Sequence, residues 1–101
     1  MIDLDAVTGF DWDEGNALKN LVGHEVSQAE AEQVFLNALL KVTPVDRPGL
    51  PEPRYRALGK TTRDRFLTVI FTLRVKDTKI RVISARDMHR KERIEYEQET
   101  T

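Results

Sequence analysis

The 101-residue sequence predicts an α+β fold: two N-terminal helices, an antiparallel meander of three to four strands, and a C-terminal helix. Three observations carry that prediction. Leu67, Val69, Phe71 and Leu73 alternate with Thr68, Ile70 and Thr72, the period of a strand with one strongly apolar face. Strand-like segments around it follow one another on short turns, which favours antiparallel neighbours. Helical signatures flank this β-rich centre at both ends.

Asp13 is a good N-cap, and Ala17, Leu18, Leu21 and Val22 recur at helical spacing, so a first helix is expected from Glu14 to about Val22. Gly23 falls where that helix should stop, which puts His24 just past its C-terminus. Ser27 and Glu30 match a capping box and open a second helix to about Asn37, with Val34, Phe35 and Ala38 along one face. Phe10 and Trp12 read as core anchors for the first helix. Leu39 to Val45 reads as a short strand, and Pro44, Pro48, Gly49, Pro51 and Pro53 then mark a loop. Arg54 to Lys60 is the next strand, Thr61–Asp64 a turn, and the alternating strand begins at Arg65. Val75–Thr78 turns the chain into a returning strand, Lys79 to Ala85. Asp87 is expected to cap a last helix through about Gln98, whose thin stripe of Met88, Ile94 and Tyr96 predicts loose docking or a wait for a partner.

A chain of this length is read as a single domain, residues 1–101. The absence of cysteine excludes disulfides and thiolate metal sites. Met1-Ile2-Asp3-Leu4-Asp5 is acidic where a secretory signal starts positive, and no apolar run approaches the roughly 20 residues of a membrane span. The expectation is a cytoplasmic protein with no membrane partner. Two histidines far apart give no metal-ligand spacing, and no phosphate-binding glycine loop or nucleophile elbow is present, so no metal or cofactor is expected.

Charge is the feature a function must explain. Between Arg54 and Arg93 thirteen Lys and Arg face four Asp and Glu, a local +9, although the whole chain sums to −1. Residues 1–53 carry three basic and ten acidic groups, and three more glutamates follow Arg93. Such a field points to phosphate-rich partners, and to an acidic region or partner that masks it. Arg54, Arg56, Arg65, Arg74, Arg81 and Arg86 all sit in or beside strands, where a guanidinium fork matches two phosphate oxygens. Strand parity limits which can cooperate: Arg54 and Arg56 share a face, whereas Arg81 and Arg86 do so only if a bulge intervenes or Arg86 has left the sheet. Position alone gives His24 two readings, a cation favoured by a helix C-terminus or a proton-transfer group near neutral pH. His89, in the basic run Arg86–Arg93, reads as structural or exposed.

Gly9-Phe10-Asp11-Trp12-Asp13, Asn20-Leu21, His24, Val26-Ser27, Arg54-Tyr55-Arg56-Ala57-Leu58-Gly59, Ile80-Arg81-Val82-Ile83-Ser84-Ala85-Arg86, then Glu92-Arg93 and Tyr96, together form a pattern over roughly residues 9–97. It resembles the BrnT-type toxins of bacterial type II toxin–antitoxin systems. The Ile-Ser-Ala-Arg strand followed by Glu-Arg-x-x-Tyr is its most specific part. The resemblance implies a RelE-like ribonuclease toxin fold and metal-independent RNA cleavage that inhibits translation. It also implies neutralisation by a BrnA-like antitoxin with a ribbon-helix-helix domain, operator DNA being reached only through that antitoxin. Family members commonly have Lys before the histidine and Gly after it, where this chain has Gly23 and Glu25, and Asn16 replaces a lysine of the first helix. Two positive charges are thus missing near the implied site and one negative charge is added.

On this reading His24 transfers a proton, as acid or base, while Arg54 and Arg86 clamp the scissile phosphate. Lys60, Arg63, Arg65 and Arg81 are the expected RNA-binding residues. The alternatives are a non-catalytic nucleic-acid-binding or co-repressor partner of an antitoxin, and an interaction protein whose basic sheet awaits an acidic chain.

Overall fold

The computed structural model describes residues 4–13, 15, 23–46 and 49–100. Its centre is one five-stranded mixed sheet in the order β1-β5-β4-β3-β2, with β1 Gly9–Phe10, β2 Lys41–Pro44, β3 Tyr55–Lys60, β4 Phe66–Arg74 and β5 Lys79–Asp87. Among the described residues it is accompanied by helices α1 (Gln28–Leu36) and α2 (Arg90–Thr100) and a 3-10 turn at Leu4–Ala6. Strands β2 to β5 form the expected antiparallel meander. The expected count of three to four strands is corrected by β1, which pairs parallel to β5 through Gly9–Lys79 and Phe10–Ile80. Of the two expected N-terminal helices the second is α1; the first, Glu14 to about Val22, lies outside the described residues apart from Gly15, and Asn16 lies outside them too.

Helix α1 starts where its capping box predicts. Ser27 Oγ accepts from the Glu30 backbone N–H at 3.1 Å, and the Glu30 carboxylate accepts from Ser27 N–H at 3.0 Å. Its Ala31 and Val34 pack with Val26 on the sheet face that presents Ala57, Leu67, Val69, Phe71, Ile80, Val82 and Ala85. Phe10, Trp12 and Phe35 close the edge of this core. Gly59 sets how near α1 can lie: a Cβ there would meet Val34 Cγ1 at 2.9 Å and Val34 O at 3.3 Å. The glycine of the Arg-Tyr-Arg-Ala-Leu-Gly strand is therefore a close-approach residue.

The opposite face is polar but not open. Thr68 and Thr72 on β4 are buried, so this strand is enclosed on both sides. Helix α2 covers one end of that face, crossing from β5 towards β2. Glu92 bonds Arg86 of β5, while Glu95 and Glu99 both pair with Lys41 of β2, at 2.8 and 2.7 Å. Tyr96, 2 % exposed, meets Phe66 edge-to-face at 5.9 Å, and the Arg93 guanidinium stacks on that ring at 3.9 Å. The expectation of loose docking looked only for an apolar stripe; α2 is seated by one buried aromatic and a row of carboxylates. The expected cap is also corrected. Asp87 is the last residue of β5, opposite Leu67, and His89 precedes the helix, its backbone N–H donating to Glu92.

One irregularity in β5 matters for function. Pairing with β4 steps from Ile70–Ser84 to Phe71–Val82, so Ile83 is an extra residue. The bulge restores the parity that five residues of regular strand would break, and Arg81 and Arg86 share one face, opposite Thr72 and Thr68.

Candidate active site

Gly23 and His24 are helical, and Glu25 adopts the left-handed conformation at φ +56°. That is the position after a helix end where glycine is preferred because it has no Cβ to clash. Arg65 then ties this corner down. Its Nη1 donates to the Glu25 carbonyl at 2.7 Å and to Glu30 at 3.1 Å, its Nη2 donates to the His24 carbonyl at 3.3 Å, and its fork holds Asp87 at 2.9 and 3.2 Å. The Arg65 bonds hold the Asp87 carboxyl below its ordinary range against the opposing effect of burial, with His24 adding a smaller attraction. Arg65 is thus the clamp that joins the histidine corner to α1 and to the end of β5. Because left-handed φ costs an L-residue about 1–2 kcal/mol, and glycine gives back part of that through unfolded-chain freedom, Glu25→Gly should raise stability by up to about 1 kcal/mol. Thermal unfolding checks this; a lower midpoint would mean that the Glu25 side chain makes a stronger contact than the strain it carries.

Arg86 lines the same cavity as His24. Its Nη1 and Nη2 donate to the two oxygens of Glu92 at 2.7 and 3.0 Å, a two-pronged pair. The same carboxylate accepts from the Thr68 hydroxyl and from the His89 backbone N–H, both at 2.9 Å, with Arg56 Nη1 at 3.9 Å. Burial alone would raise the Glu92 carboxyl, but the Arg86 fork, the His89 N–H and Thr68 outweigh it and lower it to about 2. Glu92 is 8 % exposed, so the effect bears directly on stability. Between that value and the ordinary 4.5 the unfolded chain binds more protons than the folded one, so stability rises with pH across the window. About 3 kcal/mol is present above the ordinary value and is lost as pH falls towards the folded one. Acid titration followed by circular dichroism should show this loss, and Glu92→Gln should flatten it.

Gly23, His24, Glu25, Arg86, Asp87 and His89 line one cavity of about 460 Å³. Of the residues expected to do chemistry, His24 and Arg86 meet there and Arg54 does not. Arg54 precedes Tyr55, the partner of Phe71, at the far end of the sheet, and Thr72 beside it bonds the Pro53 carbonyl at 2.7 Å. Four residues of β4 separate Thr72 from Thr68, the partner of Arg86, which is about 13 Å along the strand. Arg54 Nε is buried without a hydrogen-bond partner.

The expected RNA-binding residues are largely engaged within the chain. Arg81 pairs with Asp13 at 2.7 Å and bonds the Asp11 carbonyl at 3.2 Å. Lys60 lies 3.5 Å from Asp64, and Arg65 is the clamp described above. Arg63 is exposed on the β3–β4 turn and lines a second cavity with Ser27, Gln33, Thr62 and Arg65. Arg56, which pairs with Glu95, joins the Glu92 node although only its shared face with Arg54 was legible. His89 is the other residue that sequence reasoning placed outside the site; its position three residues before Glu92, the spacing of a cap and its acceptor, is the signal that locates it. Among the described residues no three His, Cys, Asp or Glu side chains converge as metal ligands. No described helix is long and apolar enough to cross a membrane.

The Ile-Ser-Ala-Arg and Glu-Arg-x-x-Tyr segments now have one physical account. Ile83 makes the bulge, Ala85 enters the core, and Arg86 and Glu92 bind each other, while Arg93 and Tyr96 flank Phe66. Comparison with known proteins agrees. No curated protein matches the chain. The crystal structure of the Brucella abortus ribonuclease toxin BrnT shares the fold, with a TM-score of 0.62 at 24 % identity over 83 % of this chain and all of that one. The family described as ribonuclease toxin, BrnT, of type II toxin–antitoxin system matches residues 12–92. That match takes in the histidine corner, the bulged strand and Glu92, and the chain belongs to the BrnT family of ribonuclease toxins of type II toxin–antitoxin systems.

Proposed function

We propose that this chain is a metal-independent, RelE-like RNA endonuclease that acts in the cytoplasm and halts translation by cutting RNA. A ribbon-helix-helix antitoxin of the BrnA kind neutralises it, and operator DNA is reached only through that antitoxin. The observation that carries the reading is the meeting of His24 and Arg86 in one cavity. Cleavage at a ribose 2′-hydroxyl needs proton transfer and stabilisation of charge on the phosphate oxygens. An imidazole supplies the first and a guanidinium the second. Glu92 holds Arg86 in a fixed orientation, so little reorganisation is needed when charge develops. Arg54, at the other end of the sheet, fits a contact to the RNA chain away from the scissile phosphate, and exposed Arg63 fits another.

The test is incubation of the purified chain with single-stranded RNA in EDTA. Cleavage by the wild type, lost in His24→Ala while RNA binding persists, supports the proposal. Binding without cleavage would make the chain a nucleic-acid-binding co-repressor instead.

A further inference from the structure

We propose that His89 is a second proton-transfer residue, so that His24 and His89 act as an acid–base pair on either side of the phosphate held by Arg86. The inference rests on the RNA-cleavage reading above. Both histidines are exposed at the surface and line the same cavity as Arg86. They reach it from separate parts of the fold. His24 ends the corner clamped by Arg65, whereas His89 stands at the start of α2, its N–H bonded to Glu92 at 2.9 Å and its carbonyl accepting from Arg93 N–H at 2.9 Å. The Glu92 oxygen that accepts from His89 also accepts from Arg86, so one carboxylate registers the imidazole backbone against the phosphate-binding fork. A site whose groups are fixed on rigid elements is what proton transfer requires.

The chemistry asks for two groups. One imidazole, neutral, takes the proton from the 2′-hydroxyl as that oxygen attacks phosphorus. The other, protonated, gives its proton to the 5′-oxygen as the P–O5′ bond breaks. Products are a 2′,3′-cyclic phosphate and a 5′-hydroxyl; one histidine gains a proton, the other loses one, and no further reactant is consumed. Glu25 and Asp87 are the other acids lining this cavity; both oxygens of Asp87 are held by Arg65, which keeps its carboxyl below the ordinary range and ill suited to donate a proton. The charged groups around the two imidazoles are Glu25 beside His24, Arg86 and Asp87 at the end of β5, Arg65 behind Asp87, and Glu92 and Arg90 on α2.

The experiment uses the full chain, in EDTA, with two forms of one RNA oligonucleotide: one with the natural 5′-oxygen and one with sulfur in its place. Sulfur leaves without needing a proton. His24→Ala, His89→Ala and His89→Asn are compared, asparagine being a good helix cap that exchanges no proton. Each variant should lose about 100-fold or more of cleavage of natural RNA with thermal midpoint and RNA affinity kept. Cleavage of the sulfur RNA should return for only one of the two positions, which identifies the acid. The bell-shaped pH profile of the wild type should lose its alkaline limb in that variant and its acidic limb in the other. His89→Asn cleaving within about threefold of wild type, or neither position rescued by sulfur, overturns the proposal and leaves His89 a helix cap. A wild-type chain that cuts neither RNA refutes the cleavage reading itself, whatever His89 does.

Discussion

Replacing Phe71 with alanine should lower stability by about 3–5 kcal/mol, a large part of the 5–15 kcal/mol of a typical domain. Phe71 is fully buried in the middle of β4. Its ring meets Phe35 edge-on at 5.0 Å and Tyr55 at 5.5 Å, so it joins α1 to β3 through one side chain. Truncation removes transfer energy and leaves a cavity among partners that belong to different elements and cannot collapse together. Aromatic pairing adds about 0.5–1.5 kcal/mol for each pair lost. Urea unfolding gives the answer directly: the midpoint should fall steeply with the slope nearly unchanged. A midpoint close to wild type would mean that the two faces of β4 have been exchanged.

The burial of Phe71 is legible in the sequence because strict alternation in β4 leaves only one apolar face to cover. The capping box of α1 is legible for a similar reason: two side chains at fixed spacing satisfy two backbone donors locally. Strand β1 carries no such signal. Two residues show no period, and it is the Asp11 N–H bond to the Ile80 carbonyl and that of Thr8 to Thr78 that hold it. Asp87 is an instructive case, since aspartate suits a helix cap and a strand end equally. The choice is made by Arg65, 22 residues away, and no local pattern could report it.

The site is legible in its residue types and only partly in its geometry. Parity reasoning leaves Arg81 and Arg86 on one face only if a bulge lies between them or Arg86 has left the sheet; Ile83 supplies the bulge, with no glycine or other mark to announce it. The bulge does not unite the two arginines, because Arg81 is drawn to Asp11 and Asp13 at the other end of the strand. Summed charge reveals the basic half but not what lies upon it. Glu92, Glu95 and Glu99 recur at spacings of three and four, hence on one face of α2, and that face meets Lys41, Arg56 and Arg86. Of the two masks the charge pattern allows, an acidic region or a partner, the first is in part built into the chain.

Arg86→Lys should slow RNA cleavage by about a hundredfold or more while RNA binding changes little. Charge grows on the phosphate oxygens during reaction, so an aimed guanidinium is worth more in the transition state than in the ground state. Lysine keeps the charge and loses the fork. The alanine variant is a poor substitute here, for a structural reason. Removing Arg86 leaves the Glu92 carboxylate buried with the Thr68 hydroxyl and the His89 N–H, and with Arg56 only at 3.9 Å. An uncompensated buried charge costs about 3–5 kcal/mol, so activity lost in Arg86→Ala would mix lost folding with lost chemistry. The double variant Arg86→Ala with Glu92→Gln removes that charge and separates the two effects. If catalysis depends on the guanidinium, the double variant should regain its thermal midpoint without regaining cleavage, and Arg86→Lys should stay slow although folded. If Arg86→Lys cuts RNA at the wild-type rate, the Arg86–Glu92 pair serves to seat α2 on the sheet, and the group that stabilises the phosphate must be sought elsewhere along the basic face.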